Sequence, residues 1–451
     1  MAGLTRLDAI QDWTTLVRGS VDRTLCASLA ERMRAARLTF GGRLLCPFLR
    51  PFFLTLAEEA RIAHAAETLW RLGERVARVA FERPELLDDL GLTDAERRLA
   101  SIDPGYPTAS TAARADSFIL PASLQFAEYN AESPAGPGYA QRLSELFDRE
   151  PLMQAFRNGF DVRYYTPIPR LLDALVESYR EWGGAANPPR IAIVDWKDVP
   201  TWSEFELLRD AFVSMGVPTV ISDPRDLSSD AGRLVAGDAP VDLVYRRVLI
   251  NDIVARADEC RALVDAYTRR TVAVANTLRC KIAHKKAFFA VLTDERYLDL
   301  FSDDEHAVIR AHVPWTRVVR NGFAIRSGQR VDLVPYLRDR REQFVLKPND
   351  EYGGTGVTLG WETDAGAWDA ALAHAVAEGT WVAQERIAIR RERFPVCEAD
   401  AITDRDMLVD LAPYLFRGRL SGFLTRLSAT GLANVTSGGG QVPAFVVSPR
   451  L

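Results

Sequence analysis

The chain has 451 residues, 47% of them hydrophobic and 26% charged, and a formal net charge of -5. That length is too great for one small core and implies two or three domains, and the acidic balance offers no basic surface to nucleic acid. Five cysteines, Cys26, Cys46, Cys260, Cys280 and Cys397, lie far apart, odd in number and without CxxC spacing. They speak against a disulfide framework or a zinc site and for a reducing, cytoplasmic setting. The most apolar early stretch, Leu44 to Leu56, is broken by Arg50 and two prolines, so neither a signal peptide nor a membrane span is expected.

From Thr55 to Phe81 the positions Ile62, Ala66, Leu69, Leu72, Val76 and Val79 recur at helical spacing, which predicts an amphipathic helix. Short helices follow over Leu86 to Leu99, with Thr93-Asp94-Ala95-Glu96 as a cap signal. Two apolar runs, Arg114 to Leu120 and Leu124 to Ser133, flank Pro121-Ala122-Ser123 and predict a hairpin. The turn cluster Pro134 to Gly138 leads into further helix ending near Trp182. After the breaker Gly183 to Pro189, strands at Ile191 to Trp196, Val217 to Ile221 and Val241 to Tyr245 enclose a helix from Ser203 to Met215. Alternating strands and helices of this kind predict a Rossmann-like parallel sheet. Its first strand-to-helix loop, Asp195 to Pro200, lacks G-x-G-x-x-G and so does not support a dinucleotide site. A strand over Val272 to Asn276 and a helix over Lys285 to Leu292 come next. Two further strands, at Gln343 to Lys347 and Thr380 to Arg386, lie either side of a loop carrying Gly353, Gly354, Thr355 and Gly356.

Side chains alternate faces along a strand, so Arg114 and Asp116 point one way together, and Glu128 and Asn130 share a face of the partner strand. Aspartate, glutamate and an asparagine amide are hard oxygen ligands of the kind magnesium takes, and the arginine would offset charge on a phosphoryl group. The same four residues would also suit a solvent-facing hairpin. Lys347 closes an apolar strand and precedes the glycine loop, whose amides and lysine have the makings of a phosphate cradle; a glycine-rich turn is the structural alternative. Lys285 or Lys286 at a helix start would approach a phosphate or simply be solvated. The strand ending Gln384-Glu385 would offer backbone groups to an adenine edge.

Together these segments resemble the circularly permuted ATP-grasp proteins. The helix lysine, the strand lysine with its glycine loop and the strand ending Gln384-Glu385 look like the nucleotide half of an ATP-grasp ligase. Arg114-x-Asp116 followed by Glu128-Tyr129-Asn130 looks like the metal segment of the glutathionylspermidine synthase-like group, where, as here, that segment precedes both lysines. The stretch from Arg417 through Arg426 to Asn434-Val435-Thr436-Ser437-Gly438-Gly439-Gly440 also resembles the large-lobe strands and glycine-rich turn. The likeness covers roughly residues 100 to 451; no stretch of this sequence resembles the amidase domain of that group, and the N-terminal helices resemble no named family.

The resemblance implies an α/β chain with an ATP-grasp fold, circularly permuted. A helical N-terminal section (1–100) would be followed by the metal-binding hairpin with helices of the large lobe (101–185). A Rossmann-like pre-ATP-grasp domain (186–275), a small lobe with the glycine loop (276–385) and the rest of the large lobe (386–451) would complete it. It also implies ATP and Mg2+ as cofactors, with Asp116, Glu128 and Asn130 as metal ligands and Arg114 as the catalytic stabiliser of the transferring phosphate. Lys286, Lys347, Gly353, Gly354, Thr355, Gly356, Gln384 and Glu385 would bind ATP, and Lys285 would replace Lys286 were the helix shifted by one. The implied activity joins a small-molecule or peptide carboxylate to an amine through an acyl phosphate. A phosphotransferase, or an inactive nucleotide-binding module, is the alternative from another class. Arg246, Arg247, Arg390, Arg391 and Arg393 are candidates for holding an acidic substrate.

Overall fold

The computed structural model describes residues 5–19, 23–40, 42–120, 123–351, 353–398, 401–429 and 439–450. Pro121 and Ala122 of the hairpin turn, Tyr352 beside the glycine loop, and residues 434–438 of the C-terminal glycine-rich stretch lie outside the described residues.

The first long helix is Leu56–Val79. Thr55 caps it: its hydroxyl accepts from the Glu58 amide, and the Glu58 carboxylate accepts from the Thr55 amide, so two otherwise orphaned donors are satisfied at once. Ile62, Ala66, Leu69, Leu72 and Val76 form its buried stripe. The second capping box, Thr93 with Glu96, starts Asp94–Ser101 as the sequence implies. The N-terminal section also contains a strand. Phe52–Thr55, which follows the second proline of the early apolar stretch, pairs in parallel with Ala444–Pro449, which in turn pairs antiparallel with Phe160–Arg163.

Three further sheets organise the rest. The hairpin strands Ala112–Ile119 and Leu124–Asn130 are antiparallel, with Arg114 opposite Asn130, Asp116 opposite Glu128 and a register irregularity after Asp116. They join a six-stranded sheet through the long strand Ala401–Phe416, which continues to Arg419–Ser428 and Gly440–Val442 and pairs along its other half with Arg391–Glu398. Ala273–Ala275, Leu243–Arg246, Ile191–Val194 and Thr219–Ser222 make an all-parallel sheet in that order, the Rossmann-like unit expected from the alternating pattern. A four-stranded antiparallel sheet, Thr316–Val318, Val382–Glu385, Phe344–Lys347 and Thr358–Leu359, carries the glycine loop. No helix among the described residues is long and apolar enough to cross a membrane.

Asn276 fastens the parallel sheet to the hairpin. Its buried amide nitrogen donates to the carbonyls of Ala112 (2.6 Å), Ala131 (2.7 Å) and Glu132 (3.0 Å), and its oxygen accepts from the Ala112 amide at 2.8 Å.

Two expectations are corrected. The helix expected over Lys285 to Leu292 begins only at Ala287; a separate short helix, Lys281–His284, precedes it, and Lys285 and Lys286 form the junction between them. Asn349 docks there, its carbonyl taking the Lys286 amide at 2.9 Å and its side chain the Ala287 amide at 2.8 Å; those donors satisfy a partner far along the chain instead of a preceding turn. The cysteines are not all free. Cys26 and Cys397, 371 residues apart in sequence, form a disulfide between the helix Arg23–Ala35 and the strand Arg391–Glu398, while Cys46, Cys260 and Cys280 are buried free thiols. Spacing could not show a pairing made by tertiary contact, and the cysteines no longer argue for a reducing compartment.

Two outcomes follow from these contacts. Thiol titration of the denatured, unreduced chain reads three free thiols, and five after reduction; five without reduction would refute the disulfide. Asn276→Ala strands several buried backbone groups, and at about 1–3 kcal/mol for such a loss it lowers the unfolding free energy by about 2–4 kcal/mol in urea melts, with an unchanged circular dichroism spectrum at zero denaturant.

Candidate active site

The hairpin register sets Arg114 and Asp116 side by side on one face. Arg114 Nε donates to Asp116 Oδ1 at 2.8 Å and Nη2 to Oδ2 at 3.3 Å, while Nη1 reaches the Ala135 carbonyl at 3.1 Å. A second arginine completes the group. Arg426 lies directly opposite Asp410 on the neighbouring strand, and its guanidinium donates to both Asp410 Oδ2 (2.7 Å from Nε) and Asp116 Oδ2 (2.6 Å from Nη2). Burial opposes ionisation of Asp116, but the two guanidiniums outweigh it and hold the acid well below the usual carboxylate range. At Asp410, burial and the nearby Asp116 outweigh Arg426 and the more weakly acting Arg114, and the acid is pushed up to about 6. Its Oδ1 is buried without a hydrogen-bond partner.

The lysines face this group from the other side. Lys347, at the end of its strand, donates to Gln384 Oε1 at 2.7 Å and to the Ala127 carbonyl at 3.1 Å. Burial lowers it to about 8, a shift that nearby Glu128 opposes. Lys286 Nζ stands 3.5 Å from Glu128 Oε1 and donates to the Glu351 carbonyl. Gly353 and Gly354 both take left-handed backbone, φ 66° and 82°, a consecutive pair that side chains disfavour. Gly356 (φ 72°) leaves no room for a Cβ, which would sit 2.7 Å from the Pro348 ring. Lys285 is placed elsewhere: its ammonium is buried against Glu96 and Asp350, so it does not stand in for Lys286. Glu385 pairs with Arg326. The amides of Glu385 and Arg386 are taken by the carbonyls of Trp315 and Gln343, so what this strand turns toward a ligand is side chains and the residues after it.

One cavity of about 240 Å³ is lined by Arg114, Asp116, Glu128, Asn130, Lys286, Lys347, Gly353, Gly354, Gln384 and Glu385. The structure thus gathers residues from four separated segments. Thr355 and Gly356 belong to the same loop but not to the lining. Sequence reasoning missed Glu351, Asp410 and Arg426, and also the apolar wall of Val345, Leu359, Trp361, Ile387 and Ile389. A signal existed for two of them: Asp410 and Arg426 are lone charges inside otherwise apolar strands, Leu408 to Ala412 and Phe423 to Leu427. Among the other arginines, Arg246 is fully buried and bonded to the carbonyls of Asn276 and Val248.

The donor set suits a nucleotide carrying a divalent cation. Asp116, Glu128 and Glu351 line the cavity, and Asn130 keeps a buried amide nitrogen without a partner, in a group whose oxygen and nitrogen are interchangeable in shape. Among the described residues no three His, Cys, Asp or Glu cluster as a self-sufficient metal site. A hard cation here would complete its shell with phosphate oxygens and water. The cavity's apolar wall suits a base, and its two lysines suit phosphates.

The folded Lys347 value lies below that of free lysine, near 10.4. The cost of holding the buried charge is therefore present in full below about pH 8 and relieved as pH rises from there toward the free value. A phosphate needs the charged form. Affinity for an ATP analogue accordingly stays level from pH 6.5 to 7.5 and falls roughly tenfold per unit above about pH 8, whereas Lys347→Met binds weakly at every pH. Titration calorimetry across this range decides it, and a flat profile in the parent would remove Lys347 from the site.

A family model described as a circularly permuted ATP-grasp matches residues 121–384, more than half of the chain. The match begins after Arg114 and Asp116 and ends at Gln384. Among solved structures, a glutathione synthetase-like effector from Globodera pallida in its apo form superposes with a TM-score of 0.61 at 12% identity, over 95% of this chain and 98% of that one. A putative gamma-glutamylcysteine synthetase from Methylobacillus flagellatus gives 0.41 at 12% identity, over 81% and 83%. A D-cycloserine synthetase gives 0.27 at 19%, over 44% and 59%. The first likeness shows a shared fold. No match is found among curated proteins.

Proposed function

This chain belongs to the circularly permuted ATP-grasp family, and we propose that it is an ATP-dependent ligase joining a carboxylate to an amine. The observation that carries the proposal is the single cavity in which Lys286, Lys347 and the glycine loop face Arg114, Asp116, Glu128 and Asn130. Lys286 and Lys347 hold the ATP phosphates, the amides of Gly353 and Gly354 approach them closely, and the apolar wall around Trp361 takes the base. A substrate carboxylate oxygen attacks the γ-phosphorus, breaking its bond to the bridging oxygen and releasing ADP. Arg114, kept charged and oriented by Asp116, offsets charge on the moving phosphoryl group. A neutral amine then attacks the acyl carbon of the acyl phosphate, inorganic phosphate departs, and the amine gives up a proton as the amide forms. Asp116, Glu128 and Asn130 would hold magnesium together with the nucleotide, and the ion would supply further positive charge to the phosphates.

Within the family we place the chain with the glutathionylspermidine synthase-like branch. Support comes from the order of its parts, with the metal-binding hairpin ahead of both lysines. The carboxylate substrate is a small molecule or a peptide. Glu351 and the Asp410–Arg426 pair line the same cavity, and they belong to the proposed machinery alongside the residues legible in the sequence.

Calorimetric titration of a non-hydrolysable ATP analogue, with and without magnesium, tests the reading against Glu128→Gln. Binding is expected to depend on magnesium in the parent and to weaken about tenfold, or about 1.4 kcal/mol, in the variant. Equal affinity with and without metal would remove the metal from the site. No binding by the parent at all would sink the ligase reading. Product analysis with carboxylate and amine pairs separates a ligase, which releases phosphate with an amide, from a phosphotransferase, which leaves a phosphorylated acceptor.

A further inference from the structure

Beside the cavity, but outside its lining, lies a buried group of charges that the proposed chemistry does not use. Lys281 Nζ donates to Glu132 Oε2 at 3.1 Å and to Asp350 Oδ1 at 2.8 Å. Lys285 Nζ donates to Glu96 Oε1 at 2.8 Å and to Asp350 Oδ2 at 2.6 Å. Arg246 stands 3.5 Å from the other oxygen of Glu132. Three carboxylates thus face three cations, nearly all of them with little or no exposure. Burial works against Lys281, yet Glu132 and Asp350 outweigh it and raise its pKa. Burial lowers the pKa of His284 instead, although its ring stands 3.5 Å from Glu132.

What sets this group apart is where its members sit in the chain. Glu132 follows the hairpin residues Glu128 and Asn130 within a few positions; Lys281 opens the short helix before the junction, and Lys285 shares the junction with Lys286. Asp350 is three residues after Lys347 and three before Gly353, and Glu96 belongs to the N-terminal helical section. Every segment that supplies a charged group to the hairpin and loop side of the cavity is therefore tied to one neutral knot. Next to Asp350, Asn349 accepts the amides of Lys286 and Ala287 and donates to the Leu90 carbonyl at 2.9 Å. Lys286 closes the circle by donating from its side chain to the Glu351 carbonyl. A carboxylate bridging two buried lysines is an expensive device for mere stability, since burying charges costs about what their attraction returns; its return is a fixed geometry.

We propose that Asp350 is a positioning residue. Held by Lys281 and Lys285, it fixes the entry of the glycine loop against the helix junction, and so presents Lys286 and the loop amides to the nucleotide phosphates. The proposal rests on the ATP-binding reading for its purpose, but the docking it describes exists without nucleotide. Lys285, an alternative phosphate ligand by sequence, is assigned to holding Asp350.

The test uses Asp350→Asn and the double variant Lys285→Met/Asp350→Asn, which removes one charge of each sign and keeps the knot neutral if the single variant fails to fold. Hydrogen exchange in the nucleotide-free protein is read at Lys286 and Ala287, whose amides Asn349 protects, and in the helix Leu56–Val79 as a control. Exchange at Lys286 and Ala287 is expected to quicken at least about tenfold with the control helix unchanged, and affinity for the ATP analogue to fall about tenfold or more. Lys285→Arg, which keeps the charge, leaves both readouts near the parent's. Parental exchange at Lys286 and Ala287 in a folded variant, or faster exchange in the control helix to the same degree, would overturn the positioning role. Failure of the parent to bind nucleotide would instead defeat the ligase reading, and the exchange result would still decide whether Asp350 docks the loop.

Discussion

The site depends on one long-range pairing. Ala112–Ile119 lies against Ala401–Phe416, with Arg114 opposite Tyr414, residues whose positions differ by 300. Without that pairing Arg114 and Asp116 would be a bonded pair on an isolated hairpin, and such a hairpin is marginal in water. With it, Asp410 and Arg426 arrive beside them, and burial becomes tolerable because every charge in the group has an opposite partner. The parallel sheet is fastened to the same hairpin by Asn276, while the cavity itself is lined from the hairpin's sheet and the sheet that carries the glycine loop.

Much of this was legible locally. The capping boxes at Thr55 and Thr93, the helical stripe from Ile62 to Val76, the alternation that puts Arg114 with Asp116, and the apolar runs of the parallel sheet are short-range patterns, and the structure follows them. What escaped was set by partners far along the chain. Nothing near Asp116 says that Arg426, 310 positions on, will reach it, and nothing near Cys26 points to Cys397. Lys285 and Lys286 are adjacent in a run that reads as one helix, yet Asn349 interrupts it and turns them to different tasks, one into the buried charge group and one toward Glu128. Gln384 and Glu385 were visible as a strand end, but their place between two other strands, where the amides of Glu385 and Arg386 are consumed, was not.

The electrostatics of the cavity are those of a protein satisfying itself. Lys286 leans on Glu128, Lys347 on Gln384 and a carbonyl, and Asp116 on two arginines. A ligand that is itself a paired charge, anionic phosphates with a cation, can exchange partners with this set without leaving either sign uncompensated. A lone anion or a lone cation cannot. Nucleotide and metal should therefore favour each other's binding, a coupling that arises from charge balance and needs no change of fold.

The strand Phe52–Thr55, whose neighbour is Ala444–Pro449, bears on how the chain is made. Phe52 pairs with Ala444, positions that differ by 392. At a synthesis rate of roughly 5–20 residues per second, about 20–80 s separate their appearance from the ribosome. Throughout that interval Phe52, Phe53 and Leu54, fully buried in the finished protein, have no strand to lie against. The nascent chain carries a greasy, unpaired edge until its last strand emerges, and its yield in a cell depends on whatever shields that edge while translation finishes.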